Sequence, residues 1–173
     1  MSILDYKSWD IKKIVKEIAI LAVMVLVISN VLSYMRQPDP SDIHLPQLNA
    51  VLIDGKQLEI KNLEGRPLMI HFWATWCPTC KAEADNIQRL SKYYNVVTIA
   101  VKSGSDEALN KYMQGRDFNY RVINDTEGRL AHIYRIEAFP TTFIYDRKGE
   151  IVFTEVGYSS TLGLALRMWW AGL

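Results

Sequence analysis

Short apolar runs alternate with amphipathic stretches along most of this chain, and their spacing predicts its elements. Continuous apolar or β-branched runs at Leu68–Trp73 and Val96–Val101 predict strands that are buried on both faces. Helical spacing of apolar residues predicts a helix from Lys81 to Tyr94. Turn residues at Asp54-Gly55-Lys56 and Arg147–Glu150, each between apolar runs, predict two hairpins. Strands and helices in this order predict an α/β fold with a mixed sheet.

Weaker signals place the remaining elements of the same region. Ser105, followed by two acidic residues, is a good N-cap and predicts a helix after it. A short strand is predicted at Tyr120–Ile123 and a helix from Thr126 to Tyr134. Ser159 or Ser160 is expected to cap a last helix that runs to Trp170.

The N-terminal part of the chain carries a long apolar block. No charged residue occurs between Ile18 and Met35, and about 20 apolar residues suffice to span a bilayer as a helix. Lysines precede the block, so its N-terminal end is expected in the cytoplasm. A cleaved signal peptide would have a shorter apolar core and a small-residue cleavage site, and a buried core helix would have a polar face. We therefore predict four segments: a cytoplasmic N-terminus (1–13), a transmembrane anchor (14–35), a linker (36–42) and a folded domain (43–173).

The net charge and the cysteine content of the chain limit the classes of function to be considered. The 173 residues carry a formal net charge of +1, which gives no electrostatic case for binding nucleic acid. The chain has two cysteines, Cys77 and Cys80, in a Cys-x-x-Cys arrangement between a predicted strand and a predicted helix. This placement is typical of a thioredoxin-like redox motif. A dithiol outside the cytoplasm needs a dedicated supply of electrons to stay reduced.

The position of the two cysteines assigns their roles. Cys77 would lie at the N-terminus of the following helix, where unpaired N–H groups and the helix dipole favour a thiolate. Cys77 is therefore the expected nucleophile and Cys80 the resolving thiol, and Pro78 suits the first helical position because it has no N–H to lose. A structural disulfide or a metal site are the alternatives. No metal is predicted, because His44, His71 and His132 lack the spacing of a zinc finger.

A second motif supports the same chemistry. The run Phe72-Trp73-Ala74-Thr75-Trp76-Cys77-Pro78-Thr79-Cys80, with Phe139-Pro140-Thr141 some sixty residues later, resembles the thioredoxin superfamily. From base rates alone the Phe139–Pro140 bond would be trans. The resemblance implies instead that Pro140 is cis and faces the cysteines. It also implies that Phe139, Pro140 and Thr141 bind the substrate peptide, and that the domain is a thioredoxin fold with an N-terminal β-hairpin extension.

Within that superfamily the chain is similar to the membrane-anchored, TlpA-like reductases. The likeness rests on the anchor, the first hairpin and Trp-Cys-Pro-Thr-Cys-Lys-Ala-Glu. It implies that Glu83 lies near the disulfide, where a carboxylate could accept the proton of Cys80; a solvated helix residue is the alternative. His71 stands where thioredoxins keep a buried acid, and it is either a proton relay or a buried structural histidine. Trp73 and Trp76 are expected to shield the disulfide, and Thr79, with Pro78, to tune its potential.

A narrower resemblance, to proteins of the suppressor-of-copper-sensitivity D (ScsD) type, covers nearly the whole chain. It rests on the anchor, the run Val101–Gly104 and the tail Leu166–Ala171. It implies a membrane electron donor of the DsbD/ScsB type, periplasmic disulfide-bearing partners and a link to copper tolerance. Trp169 and Trp170 are interpreted as helix packing, with a surface for a partner as the alternative.

The expected function is that of a single-pass inner-membrane protein whose catalytic domain, in the periplasm, reduces disulfides. Its redox-active disulfide, Cys77–Cys80, would need no other cofactor. Three alternatives remain open at this point: an oxidase that forms disulfides, a reductant of cytochrome c maturation, and a Cu(I) chaperone that uses both thiolates.

Overall fold

A computed structural model describes residues 11–35, 49–59 and 65–173 of this chain. The chain divides into two compact units, residues 1–35 and residues 36–173, and each is described by itself. The predicted linker at residues 36–42 lies outside the described residues, as does most of the predicted cytoplasmic segment.

The first unit contains one helix, α1, which spans Ile11–Met35. Among the residues that the structure describes, no helix combines the length and the apolar character needed to cross a membrane. The predicted transmembrane anchor at residues 14–35 therefore gains no support from the structure and stays a prediction from the sequence.

The second unit alternates strands and helices in the order that the sequence predicts. Its described elements are β1 (Asn49–Val51), β2 (Gln57–Glu59), β3 (Leu68–Trp73), α2 (Pro78–Ser91), β4 (Asn95–Val101), α3 (Asp106–Gln114), β5 (Arg121–Asp125), α4 (Arg129–Ile133), β6 (Thr141–Tyr145), β7 (Ile151–Val156) and α5 (Thr161–Ala171).

Five strands form one mixed sheet in the order β5-β4-β3-β6-β7. Strand β3 lies at its centre, parallel to β4 and antiparallel to β6. Strands β1 and β2 form a separate antiparallel hairpin around Asp54-Gly55, as predicted. This arrangement is a thioredoxin fold, a mixed sheet flanked by helices, which confirms the predicted fold of the folded domain.

The two faces of the sheet bury separate apolar clusters. Helices α2, α3 and α5 cover one face, where Met69 and Trp73 of β3 pack with both cysteines. Helix α4 and the β1–β2 hairpin cover the other face, around Ile70 and Phe72. Successive side chains of β3 thus point to opposite clusters, and all six of its residues are buried.

Side-chain caps set where several helices begin. Ser105 accepts a hydrogen bond from the N–H of Ala108 at the start of α3, and Ser160 accepts one from Gly163 at the start of α5. Helix α2 begins at Pro78 rather than at the predicted Lys81, because Cys77 is its N-cap. Helix α4 is shorter than the predicted 126–134.

The predicted role of Trp169 and Trp170 was wrong. Their side chains are 58% and 63% exposed, respectively. Leu164, Met168 and Ala171 instead make the buried side of α5. The tail is apolar on both sides of the helix, so the sequence pattern could not show which side packs against the sheet.

Helix α5 offers a test of this packing. Leu164→Ala should destabilise the chain by about 2–5 kcal/mol, because the side chain is 0% exposed and its truncation leaves a cavity. Leu162→Ala, where the side chain is 70% exposed, should change stability by less than about 0.5 kcal/mol. Urea unfolding followed by far-ultraviolet circular dichroism measures both. Equal losses in the two variants would contradict the packing described here.

Candidate active site

Cys77 and Cys80 are joined by a disulfide at the N-terminus of α2, with their Cα atoms 5.3 Å apart. Cys77 is the N-cap residue, and its Sγ accepts a hydrogen bond from the N–H of Cys80 at 3.1 Å. The side chains of Cys77 and Cys80 are only 5% and 3% exposed. A thiolate on Cys77 would therefore meet the N–H groups and the positive end of the helix dipole.

The segment before β6 faces this disulfide. The Phe139–Pro140 peptide bond is cis, as the resemblance to thioredoxins implies. The carbonyl oxygen of Phe139 lies 3.7 Å from Cys77 Sγ. Thr141 anchors the segment, since its hydroxyl donates to the carbonyl of Ala138 at 2.8 Å. The structure thus brings Phe139, Pro140 and Thr141 to the cysteine pair.

Two tryptophans flank the motif in different ways. Trp73 is buried, and its indole N–H donates to the hydroxyl of Thr98 at 3.1 Å. Trp76 is 57% exposed, with its ring set edge-on to Phe139 at 5.5 Å between centroids. The indole N–H of Trp76 donates to the carbonyl of Lys102 at 3.2 Å. Trp73 therefore belongs to the core, whereas Trp76 forms an apolar wall open to solvent.

A groove of about 800 Å³ opens beside Trp76, and the sequence reasoning missed it. Phe139, Lys102, Gly128 and Ile133 contribute to its lining. Gly128 has a φ of +76°, and a Cβ built there would lie 3.0 Å from Cε of Lys102. A side chain at position 128 would thus strain the backbone and displace Lys102. No local pattern in the sequence indicates this groove, because its lining comes from separate segments of the chain.

Glu83 is fully buried on α2, three residues after Cys80 and hence next to it on the helix surface. Its Oε1 accepts a hydrogen bond from the N–H of Ser159 at 3.3 Å. Its Oε2 is buried with no hydrogen-bond partner among the described residues. Burial, with a smaller effect from the nearby Glu155 carboxylate, raises the pKa of Glu83 to about 8. The alternative of a solvated helix residue does not hold.

His71 is also buried, on the face of β3 that carries Met69 and Trp73. Its Nδ1 lies 2.9 Å from the hydroxyl oxygen of Thr142 on the neighbouring strand β6. Burial lowers the pKa of His71 to about 3, so the ring is neutral at neutral pH. This argues against a proton relay near pH 7 and for a structural histidine, with a hydroxyl rather than a backbone carbonyl as its partner.

The remaining predicted site residues lie at the surface or elsewhere. Pro78 and Thr79 are exposed in the first turn of α2, on the open side of the disulfide. His132 lines the groove beside Trp76, and His44 lies outside the described residues. No group of three or more His, Cys, Asp or Glu residues that could hold a metal ion occurs in the described part of the chain.

Comparisons with known proteins agree with this geometry. The chain matches the AhpC/TSA family over residues 42–154. It is 30% identical to a thioredoxin-like protein of Haemophilus influenzae over 164 residues, which are 93% of this chain and 96% of that protein. It is 31% identical to the thiol-disulfide oxidoreductase ResA of Bacillus subtilis, over 63% of this chain and 64% of ResA.

Solved structures show the same fold. A thiol:disulfide interchange protein of the thioredoxin family from Chlorobium tepidum superposes with a TM-score of 0.68 and 26% identity, over 77% of this chain and 98% of that one. StoA from Bacillus subtilis superposes with a TM-score of 0.61 and 24% identity, over 73% of this chain and all of StoA (100%).

The buried carboxyl of Glu83 predicts a pH dependence of stability. Glu83 keeps its proton up to about pH 8 when folded, against an ordinary pKa of 4.5 when unfolded. Its contribution is therefore fully present below pH 4.5 and is lost as the pH rises through about 8. At about 1.4 kcal/mol per pKa unit, that separation sets an upper limit of about 5 kcal/mol.

Glu83→Gln should remove this loss, because glutamine keeps an acceptor for Ser159 and does not titrate. Urea unfolding of the oxidised chain between pH 5 and pH 8.5 checks it, with Glu150→Gln as the control at an exposed glutamate. A loss of stability that is equally steep in Glu83→Gln and in the parent chain would show that another group titrates.

Proposed function

We propose a direction and a setting for the redox chemistry of this chain, which belongs to the AhpC/TSA family and is a thioredoxin-like thiol–disulfide oxidoreductase. The dithiol form reduces disulfides of proteins outside the cytoplasm. Residues 14–35 tether the catalytic domain to the inner membrane, on its periplasmic side. A membrane electron donor of the DsbD/ScsB type returns the Cys77–Cys80 disulfide to the dithiol form.

The reaction proceeds through two thiol–disulfide exchanges. The Cys77 thiolate attacks one sulfur of the substrate disulfide, which forms a mixed disulfide and releases the other substrate sulfur as a thiolate. Cys80 then loses its proton and attacks Sγ of Cys77, which releases the second substrate thiolate. Two electrons pass to the substrate, its two thiolates take up two protons, and the Cys77–Cys80 disulfide remains.

The proposal that this chain reduces disulfides, and does not form them, rests mainly on Glu83. Strong oxidants of this superfamily owe their high potential to a stabilised reduced form. Here the burial that raises the pKa of Glu83 to about 8 also disfavours a thiolate on Cys80, which is buried next to it. At neutral pH most of Glu83 is therefore protonated, and its minor ionised fraction would accept the proton of Cys80 during resolution. Both effects suit a reductant whose resolving thiol stays protonated between turnovers.

The proposed substrate surface joins the cis-proline segment to the groove beside Trp76. Phe139 belongs to both, since its carbonyl oxygen lies near Cys77 and its ring meets Trp76. An extended substrate chain would pair with the backbone around Pro140 and place an apolar side chain against the Trp76 wall. The groove volume of about 800 Å³ accommodates such a side chain.

The membrane anchor and the physiological setting rest on the sequence. The charge-free run from Ile18 to Met35, with lysines before it, supports the anchor and the cytoplasmic N-terminus. The resemblance to ScsD-type proteins supports a link to copper tolerance. The surface of a DsbD/ScsB-type donor would have to reach the same exposed side of the disulfide that substrates use, at Pro78 and Thr79.

The reduction potential of the Cys77–Cys80 pair tests the direction. We expect a value near or below that of thioredoxin, about −270 mV, when the chain is equilibrated with dithiothreitol or glutathione buffers. The physical reason is the unstabilised thiolate of Cys80 beside Glu83. A value near about −120 mV would instead make the chain an oxidase that forms disulfides.

Trapping of mixed disulfides tests the roles of the two cysteines. Cys80→Ser should accumulate covalent adducts of Cys77 with periplasmic proteins, because nothing resolves them. Cys77→Ser should form none, since Cys80 lies within the first turn of α2 and not at its N-cap, the position that favours a reactive thiolate. Non-reducing electrophoresis of cells expressing each variant reads the outcome, with the double variant as the control. Adducts of equal abundance in the two single variants would contradict the assignment.

A further inference from the structure

The exposed side of α5 forms an apolar stripe that nothing in the described domain covers. Its side chains recur at helical spacing and continue to the chain end, and they are between 56% and 77% exposed: Leu162, Leu166, Trp169, Trp170 and Leu173. The opposite side of the same helix is already buried in the core. A helix that is apolar on both sides is expected to have a second contact.

A cationic pocket adjoins the end of this stripe. It has a volume of about 410 Å³ and is lined by Arg66, Lys92 and Arg121, with no acidic side chain among its described lining residues. Tyr93 at its rim is 83% exposed.

Two contacts join the pocket to α5. Tyr94, which lines the pocket, donates its hydroxyl to the carbonyl of Ala165 at 3.4 Å. Pro67 also lines it, and a Cβ built on Gly172 would lie 3.5 Å from Cγ of Pro67. The stripe and the cations therefore form one continuous surface, which we call the aromatic–cationic end: Trp169, Trp170, Tyr93, Arg66, Lys92 and Arg121.

We propose that the aromatic–cationic end docks on the surface of an anionic phospholipid membrane. Tryptophan and tyrosine favour the boundary between lipid and water, where their rings lie at the level of the headgroups. Lysine and arginine side chains beside them are attracted to lipid phosphates. The proposal rests on neither the redox chemistry nor the anchor, because it concerns only side chains of the folded domain.

A second copy of the chain fits this surface less well. A two-fold interface brings the same patch of both copies into one contact, so it would gather six cations with no acidic side chain among the described lining residues to offset them. Like charges brought together in this way oppose association. An anionic lipid surface satisfies the apolar stripe and the cations at once.

Docking in this orientation would turn the disulfide away from the lipid. Cys77 follows the C-terminal end of β3, whereas Pro67 immediately precedes its first residue, Leu68. The six residues of β3 separate these ends by about 20 Å. Trp76 and the substrate surface would then face the aqueous side, where folded proteins carry their disulfides.

Hydroxyl-radical footprinting of the full chain with phospholipid vesicles tests the proposal. Vesicles of phosphatidylglycerol mixed with phosphatidylcholine are compared with vesicles of phosphatidylcholine alone. We expect Trp169, Trp170 and Tyr93 to be oxidised about fivefold more slowly on the anionic vesicles. Trp76 is the internal control, because it is 57% exposed against 58% for Trp169 and lies at the other end of β3. Its rate should be the same on both vesicles.

Charge variants distinguish a specific membrane-binding site from a general attraction between the protein's cations and anionic lipid. The triple variant Arg66→Gln, Lys92→Gln, Arg121→Gln should lose the difference between the two lipids. The matched triple variant Lys111→Gln, Arg147→Gln, Lys148→Gln removes three exposed cations elsewhere and should keep it. Circular dichroism confirms that each variant is folded.

Three results would overturn the proposal. Equal oxidation of Trp169 and Trp170 on the two kinds of vesicle would exclude recognition of anionic lipid. Equal loss of protection in the two triple variants would assign the effect to net charge. Protection that grows with protein concentration without vesicles would show a second copy as the occupant.

Discussion

The antiparallel pairing of β3 with β6 is the constraint on which the active site depends. Phe72 pairs with Thr141, so the chain that leaves β3 and the chain that enters β6 meet at the same edge of the sheet. The first of these carries Cys77 and the second carries Phe139 and Pro140. The disulfide and the cis-proline segment, some sixty residues apart in sequence, are thus held within van der Waals reach. A shift of the register by one residue would point the inward side chains of β6 to the opposite face and separate the two segments.

Two buried ionisable groups, His71 and Glu83, are expected to lower the stability of the domain at acidic and at alkaline pH, respectively. His71 is neutral when folded, so its contribution is present above pH 6.5 and is lost as the pH falls towards about 3. Glu83 acts in the opposite sense, between pH 4.5 and about 8. From pH 4.5 to 6.5 the two effects oppose each other, which leaves a plateau. The contributions of these two groups are therefore expected to make the domain more stable under mildly acidic than under alkaline conditions.

Much of the fold was predictable because its signals are local. The continuous apolar run at Leu68–Trp73 predicted β3 with its observed bounds, and Ser105 predicted the start of α3. The cysteine pair predicted its own position at a helix N-terminus. The cis bond at Pro140 followed from the resemblance to thioredoxins, not from the residues, since the local preference is for trans. The groove beside Trp76 was not predictable, because four separate segments of the chain build it.

The burial of Glu83 shows why local sequence signals do not predict the chemical environment of the site. On the sequence it is a charged residue in an amphipathic helix, where exposure is the ordinary outcome. Its burial arises from the docking of the chain before α5, whose Ser159 supplies the one hydrogen bond that Oε1 accepts. The other oxygen stays buried without a partner among the described residues, a loss of stability that a leucine at this position would avoid. A buried acid that costs stability beside Cys80 supports the proposed handling of that thiol's proton by Glu83.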